Sequence, residues 1–238
     1  MVLHHCVGAR SFRVLWALEE LGVPYDLRVL PFPPRVACAE FLSENPLGTV
    51  PLFIQGGVRM TESSAICTYL GTLYPSHPVA VTPDHEDYPR YLNDLFFGEA
   101  TLTFPQTIAL RYSRFEPADR LVPQVVADYS RWFLSRLHTL APRLARSEYL
   151  CARRFTMADI SVGYALALAQ HLDLSARFRP SVLEYWQRLQ TLPSYRRALA
   201  AERGAAIRQG VDSNPAPRAD VSHWTRHPVE EVPGRTAA

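Results

Sequence analysis

Asn45-Pro46-Leu47-Gly48-Thr49-Val50-Pro51-Leu52-Phe53-Ile54, followed by Thr61-Glu62-Ser63-Ser64-Ala65-Ile66, carries the most informative local pattern of this chain. Pro51 stands directly after an apolar residue at the head of an apolar run. Having no N–H for a sheet ladder, it suits a strand start only through a special turn such as a cis bond. A cis Val50–Pro51 bond aims the Val50 backbone outward, where its N–H and C=O pair strand-fashion with an extended peptide. Gln55-Gly56-Gly57 then turns the strand into Val58-Arg59-Met60, a hairpin. A helix opens at Thr61-Glu62-Ser63-Ser64, and Ala65, Ile66, Tyr69 and Leu70 keep a 3.6 period up to Pro75. At its start, free backbone N–H groups and the Ser63 hydroxyl suit a carboxylate, while Glu62 suits an ammonium. Both charges on one carbon describe the end of an α-amino acid. The same residues also read as an ordinary N-cap at Thr61 or Ser63, with Glu62 a first-turn acid favoured by the helix dipole.

Upstream, Val2 to Val7 reads as a strand, Gly8-Ala9-Arg10-Ser11 as a turn with a hydroxyl at a helix start, and Val14, Leu15, Leu18 and Leu21 as the apolar face of a helix. That helix stops at Gly22, with Pro24 beyond. Tyr25 to Leu30 gives a second strand, Pro31-Phe32-Pro33-Pro34 a loop, and Val36 to Leu42 a short helix. The order β-α-β-α-β-β-α predicts a thioredoxin-like sheet flanked by helices. Downstream, Pro75 to Glu86 suits a linker, and only helical patterns follow. They run over Tyr88–Tyr112, Ala118–Arg146, Met157–Leu172, Ser181–Leu192 and Tyr195–Arg203. The expected organisation is therefore α/β over 1–76, an all-α bundle over 87–210, and a tail over 211–238 that is either disordered or laid on the surface.

The 238 residues carry a net charge of +2, and all 25 cations are arginine, spread along the chain. No basic stripe for nucleic acid stands out. Without lysine, Schiff-base chemistry, phosphate-loop chemistry and a serine–lysine dyad are excluded. No signal peptide or membrane-spanning run is visible, which reads as cytoplasmic. Cys6, Cys38, Cys67 and Cys151 form no Cys-x-x-Cys pair, so no zinc site or dithiol centre is expected. His4 and His5 point to opposite faces of a strand and do not readily share an ion.

Ser11-Phe12-Arg13-Val14-Leu15-Trp16-Ala17-Leu18-Glu19-Glu20-Leu21-Gly22, then Asn45 to Leu52, then Thr61 to Ile66, resemble the successive signatures of bacterial glutathione transferases. The resemblance covers about the first 70 residues. It implies glutathione as co-substrate, held through its cysteinyl backbone by Val50, with Pro51 cis and Thr49 beside them, and through its γ-glutamyl end by Glu62 and Ser63. Thr156-Met157-Ala158-Asp159 resembles the family's buried capping motif, in which Thr156 and Asp159 satisfy each other's end of the helix. By family layout, Phe104, Tyr112 and Phe115 face the active site and line a pocket for an apolar electrophile. By their helical spacing Trp16, Phe96, Phe97, Trp132 and Trp186, and Phe104 itself, read as core. A homodimer is implied as well.

The catalytic position departs from the pattern. Ala9 stands where relatives carry a sulfur-holding serine, and on the alternative alignment Arg10 replaces a cysteine. Ser11 as hydroxyl donor and Arg10 as cation are left as catalytic candidates, against readings as an N-cap and a solvated charge. The implied activity is conjugation of the glutathione thiolate to an apolar electrophile, a detoxification chemistry. A glutathione-dependent isomerase, dehalogenase or ether-cleaving enzyme remains open, as does a non-catalytic binding module.

Overall fold

A computed structural model describes residues 1–215. Strands β1 (Val2–His5), β2 (Asp26–Val29), β3 (Leu52–Gln55) and β4 (Val58–Met60) form one sheet in the order β2-β1-β3-β4. β1 runs parallel to β2, in the register Leu3 opposite Leu27, and antiparallel to β3, with Leu3 opposite Phe53. Between them lie α1 (Phe12–Leu21), two single-turn helices, α2 (Pro34–Ala37) and α3 (Phe41–Glu44), and then α4 (Ser63–Leu73). The short helix expected over Val36–Leu42 is thus two single turns, one starting two residues earlier and the other ending two residues later. The break falls at Cys38, whose backbone leaves the helical region.

The second half is helical: α5 (Tyr88–Phe96), α6 (Phe104–Leu110), α7 (Pro123–Leu137), α8 (Ala141–Leu144), α9 (Met157–His171), α10 (Pro180–Thr191) and α11 (Pro193–Arg208). Wide π-turns at Phe97–Thr103 and Arg111–Phe115 make α5 and α6 one continuous run. Prolines occupy the first helical position of α7, α10 and α11, where a missing N–H costs nothing, and so set their starts. α11 also continues past the expected end at Arg203. Gly204 does not stop it, because Ala205 and Ala206 pack on Val29 of β2 and on Val7 in the turn after β1.

α1 and α9 form the core of the molecule. Trp16 is fully buried, packs edge-on to Tyr195 at 4.8 Å and donates from Nε1 to Ser194 Oγ at 3.1 Å. At the head of α9, Asp159 accepts from the Thr156 N–H at 2.8 Å and the Thr156 hydroxyl at 2.9 Å, a capping box. Gly98 lets the π-turn approach α9, since a Cβ there would lie 2.5 Å from Ser161 Oγ. The expected tail lies outside the described residues from 216 onward. Of its first residues, Val211 packs beside Ala205 and Ala206, and Pro215 reaches Gly8.

Candidate active site

The turn Gly8-Ala9-Arg10, the segment Gly48-Thr49-Val50 ahead of β3, the loop Phe32 to Arg35 and one face of α9 surround a cavity of about 500 Å³. Gly8 has φ +70°, and a Cβ there would meet Pro215 Cβ at 2.4 Å, so only glycine fits. The Val50–Pro51 peptide is cis, as is Phe32–Pro33. Buried Asn45 holds the preceding loop: its Nδ2 donates to the Thr49 carbonyl at 2.7 Å, and its Oδ1 accepts from Leu47 N–H at 3.2 Å. The β3 ladder begins at Leu52, so the Val50 backbone stays outside the sheet at the cavity edge. Pro51 is buried behind it.

Arg10 lines the cavity with a third of its side chain open. Its Nε donates to Glu99 Oε1 at 2.6 Å, and Nη2 lies 3.4 Å from Thr107 Oγ1. One turn on, Arg13 is wholly buried, pairs with the other Glu99 oxygen, and donates to Thr103 Oγ1 at 2.6 Å and to Ser63 Oγ at 3.2 Å. Its guanidinium lies 4.3 Å from the centre of the Tyr164 ring. Burial opposes the Arg10 charge, but Glu99, Tyr164 and Glu62 together outweigh it, so this guanidinium sits above its ordinary range. Burial likewise works against Glu99, yet Arg13 and Arg10 hold it below the usual carboxylate range.

Ser63 begins α4, and its Oγ accepts from Arg13, which leaves the hydroxyl proton for a further acceptor. Glu62 is exposed beside it. Neither residue lines the cavity itself; they flank it on the side of Arg10.

Ser11 is not at the cavity. It is fully buried, its Oγ lying 2.8 Å from His5 Nδ1 and accepting from Cys6 N–H at 3.4 Å. The other face of His5 is held by Glu202, with Nε2 2.8 Å from Oε2, and that same oxygen accepts the Gly8 N–H at 2.8 Å. Tyr164 completes the brace by donating to the Gly8 carbonyl at 3.1 Å. The turn is thus pinned at Gly8 and Ser11, and Ala9 and Arg10 between them face the cavity. His4 instead stacks on Phe41 at 5.2 Å.

Of the three aromatics expected in the pocket, Phe115 lines the cavity and stacks with Phe32 at 5.3 Å. Phe104 is 49% exposed, and Tyr112 lies beneath the Arg111 guanidinium, 5.8 Å away. A π-turn carries an extra residue and rotates the side chains after it, and the one at Phe97–Thr103 lies ahead of both. Phe96 and Trp132, expected in the core, are also exposed; Arg136 covers the Trp132 ring at 4.6 Å. Burial pushes the thiols of Cys6, Cys67 and Cys151 up to about 12, so they stay protonated.

A four-stranded sheet whose Gly8–Arg10 turn faces the Val50 backbone across one cavity, walled on the other side by α9, is the arrangement of a thioredoxin-like half joined to a helical half. The family described as glutathione S-transferase, N-terminal domain, matches residues 9–73. Glutathione S-transferase 1 of Schizosaccharomyces pombe is 30% identical over 162 residues, 66% of this chain and 70% of that protein. Glutathione S-transferase 3 of the same yeast is 28% identical over 213 residues, 85% of this chain and 87% of that protein. Among solved structures, a sphingomonad glutathione S-transferase complexed with glutathione superposes with a TM-score of 0.74 at 25% identity, covering 84% of this chain and 98% of that one. The chain belongs to the glutathione S-transferase family, and the enzyme class that goes with it is a glutathione transferase.

Proposed function

We propose that the chain joins the thiolate of glutathione to an apolar electrophile held against the helical half. The observation that carries this reading is the meeting, around one cavity, of three features: the Val50 backbone ahead of β3, the N-terminus of α4, and the Arg10 turn. Val50 pairs with the cysteinyl backbone of glutathione, which directs the sulfur toward Ala9 and Arg10. The α4 N–H groups and the Ser63 hydroxyl receive the γ-glutamyl carboxylate, and Glu62 its ammonium. Arg35, at the opposite edge, suits the glycyl carboxylate. With Ser11 turned inward and Ala9 lacking a hydroxyl, Arg10 is the charged group at the sulfur position, and its attraction for an anion favours thiolate over thiol.

Leu110, Phe115 and Leu168 make the facing wall apolar, which suits a carbon electrophile and excludes water from the nucleophile. Catalysis then combines a stabilised thiolate with proximity. Two half-exposed rings on one helical run, Phe96 and Phe104, support a homodimer that covers them. No helix among the described residues is long and apolar enough to cross a membrane. The four free cysteines fit a reducing cytoplasm.

Calorimetric titration of glutathione into the protein and Glu62→Ala tests the reading. The variant is expected to lose about 1.5–3 kcal/mol of binding, the range for a hydrogen bond to a charged group, with its circular dichroism intact. Equal affinities would reduce Glu62 to a first-turn acid.

A further inference from the structure

Tyr164, Ala167, Leu168 and His171 follow one another at i, i+3, i+4 and i+7 on α9, and all four line the cavity. Tyr164 marks the sulfur end, where it touches the Gly8 carbonyl. Seven residues along an α-helix advance about 10 Å, so His171 stands at the far end of the same wall.

The His171 ring has a fixed proton. Nε2 lies 2.7 Å from Arg114 Nη1, and a guanidinium only donates, so Nε2 accepts, the ring is neutral, and Nδ1 carries the hydrogen. Arg114 Nη2 also donates to the His171 carbonyl at 2.9 Å, anchoring the residue through its backbone as well. No described residue takes up Nδ1. The wall between Arg10 and His171 is apolar: Leu110, Phe115 and Leu168. Along this wall the cavity therefore runs from the Arg10 guanidinium, past Leu110, Phe115 and Leu168, to the His171 N–H donor, with Arg35 and Glu202 elsewhere on its lining; the advance of about 10 Å along α9 suits one aromatic ring plus a hydrogen bond.

We infer that His171 determines specificity, and that the electrophile is one aromatic ring long with an acceptor oxygen opposite the carbon attacked. This rests on the glutathione-conjugating function proposed above. For an aryl halide, the thiolate sulfur adds to the halide-bearing carbon, and the S–C bond forms as a ring electron pair moves onto the para acceptor oxygen. There the Nδ1–H of His171 donates a hydrogen bond to the developing negative charge. The pair then returns to the ring, the carbon–halogen bond breaks, and halide leaves with its electrons; His171 keeps its proton throughout.

The test compares para-nitrofluorobenzene with ortho-nitrofluorobenzene, each corrected for its uncatalysed reaction with glutathione. Leaving group and activating group are the same, and only the place of the acceptor oxygen differs. The protein is expected to favour the para isomer in kcat/KM by about tenfold or more. In His171→Phe that ratio is expected to fall to near unity, and His171→Gln, whose amide keeps an N–H donor, should regain part of it. A ratio equal in the protein and in His171→Phe overturns the assignment. So does the absence of a para preference, or failure to turn over either isomer by protein that binds glutathione in the calorimeter. Failure to bind glutathione at all overturns the transferase reading instead, and this assignment falls with it.

Discussion

Glu99, where the two halves of the molecule meet, and Asp159, inside the helical half, are both carboxylates withdrawn from water, and they titrate on opposite sides of their ordinary range. Glu99 faces two arginines and is held low. Asp159 accepts four neutral donors, the N–H groups of Leu150 and Thr156 and the hydroxyls of Thr156 and Tyr185, all within 3.0 Å. Burial still pushes it up to about 6. The contrast separates two kinds of support: neutral donors orient a buried carboxylate but do not offset its desolvation, whereas a full opposite charge does.

The harshest break is Glu99→Ala, which leaves Arg13 buried without its counter-charge. Removing one partner of a buried ion pair costs about 3–5 kcal/mol, and the lower part of that range is expected because Glu99 keeps some contact with solvent. Urea unfolding gives the number; a loss below about 1 kcal/mol would mean that the neutral acceptors around Arg13 suffice.

Asp159 offers a sharper comparison through pH. Its folded pKa lies above its unfolded value, so the folded state binds the extra proton and this group's contribution is fully present below pH 4 and lost as pH rises through about 6. Glu99 runs the other way, its contribution present above pH 4.5 and lost on acidification below that. Asp159→Asn is expected to flatten the part of the stability curve that falls between pH 4 and 6, at a cost of about 1–3 kcal/mol for the misfitted hydrogen bonds. An unchanged slope in urea unfolding across that window would mean that the four donors hold the carboxylate ionised after all.

The smallest effect concerns chemistry. Arg10→Ala is expected to raise the pKa of glutathione's bound thiol by about one unit, about 1.4 kcal/mol, read from thiolate absorbance in the ultraviolet, while Ser11→Ala leaves it where it was. A shift with Ser11→Ala alone would return the sulfur to the hydroxyl.

What the sequence made legible was local. Val50, Pro51, Glu62 and Ser63 lie within fourteen residues, and strand, turn and cap each leave a residue signature there. What it hid depends on distance. Arg13 meets Glu99 across 86 residues and His5 meets Glu202 across 197, and nothing in the neighbourhood of either marks the partner. Ser11 looked available for the sulfur because a helix-start hydroxyl and a nucleophile-holding hydroxyl have the same local sequence; only His5, turned inward on β1, decides between them. The pocket reading of Phe104 and Tyr112 rested on family layout, and no local signal marks the π-turn ahead of them that sets which face these rings present.

The linker between Leu73 and Tyr88 looks like a seam, but the molecule cannot be cut there. Arg13 and Trp16 belong by chain to the sheet half, yet find their acceptors at Glu99, Thr103 and Ser194, beyond the linker. A fragment ending at residue 76 would leave the Arg13 cation with Ser63 alone of its side-chain acceptors and the Trp16 indole with none. Chimeras that graft a relative's helical half, to borrow its choice of electrophile, must therefore bring compatible groups at those three positions or replace Arg13 and Trp16 in the same step.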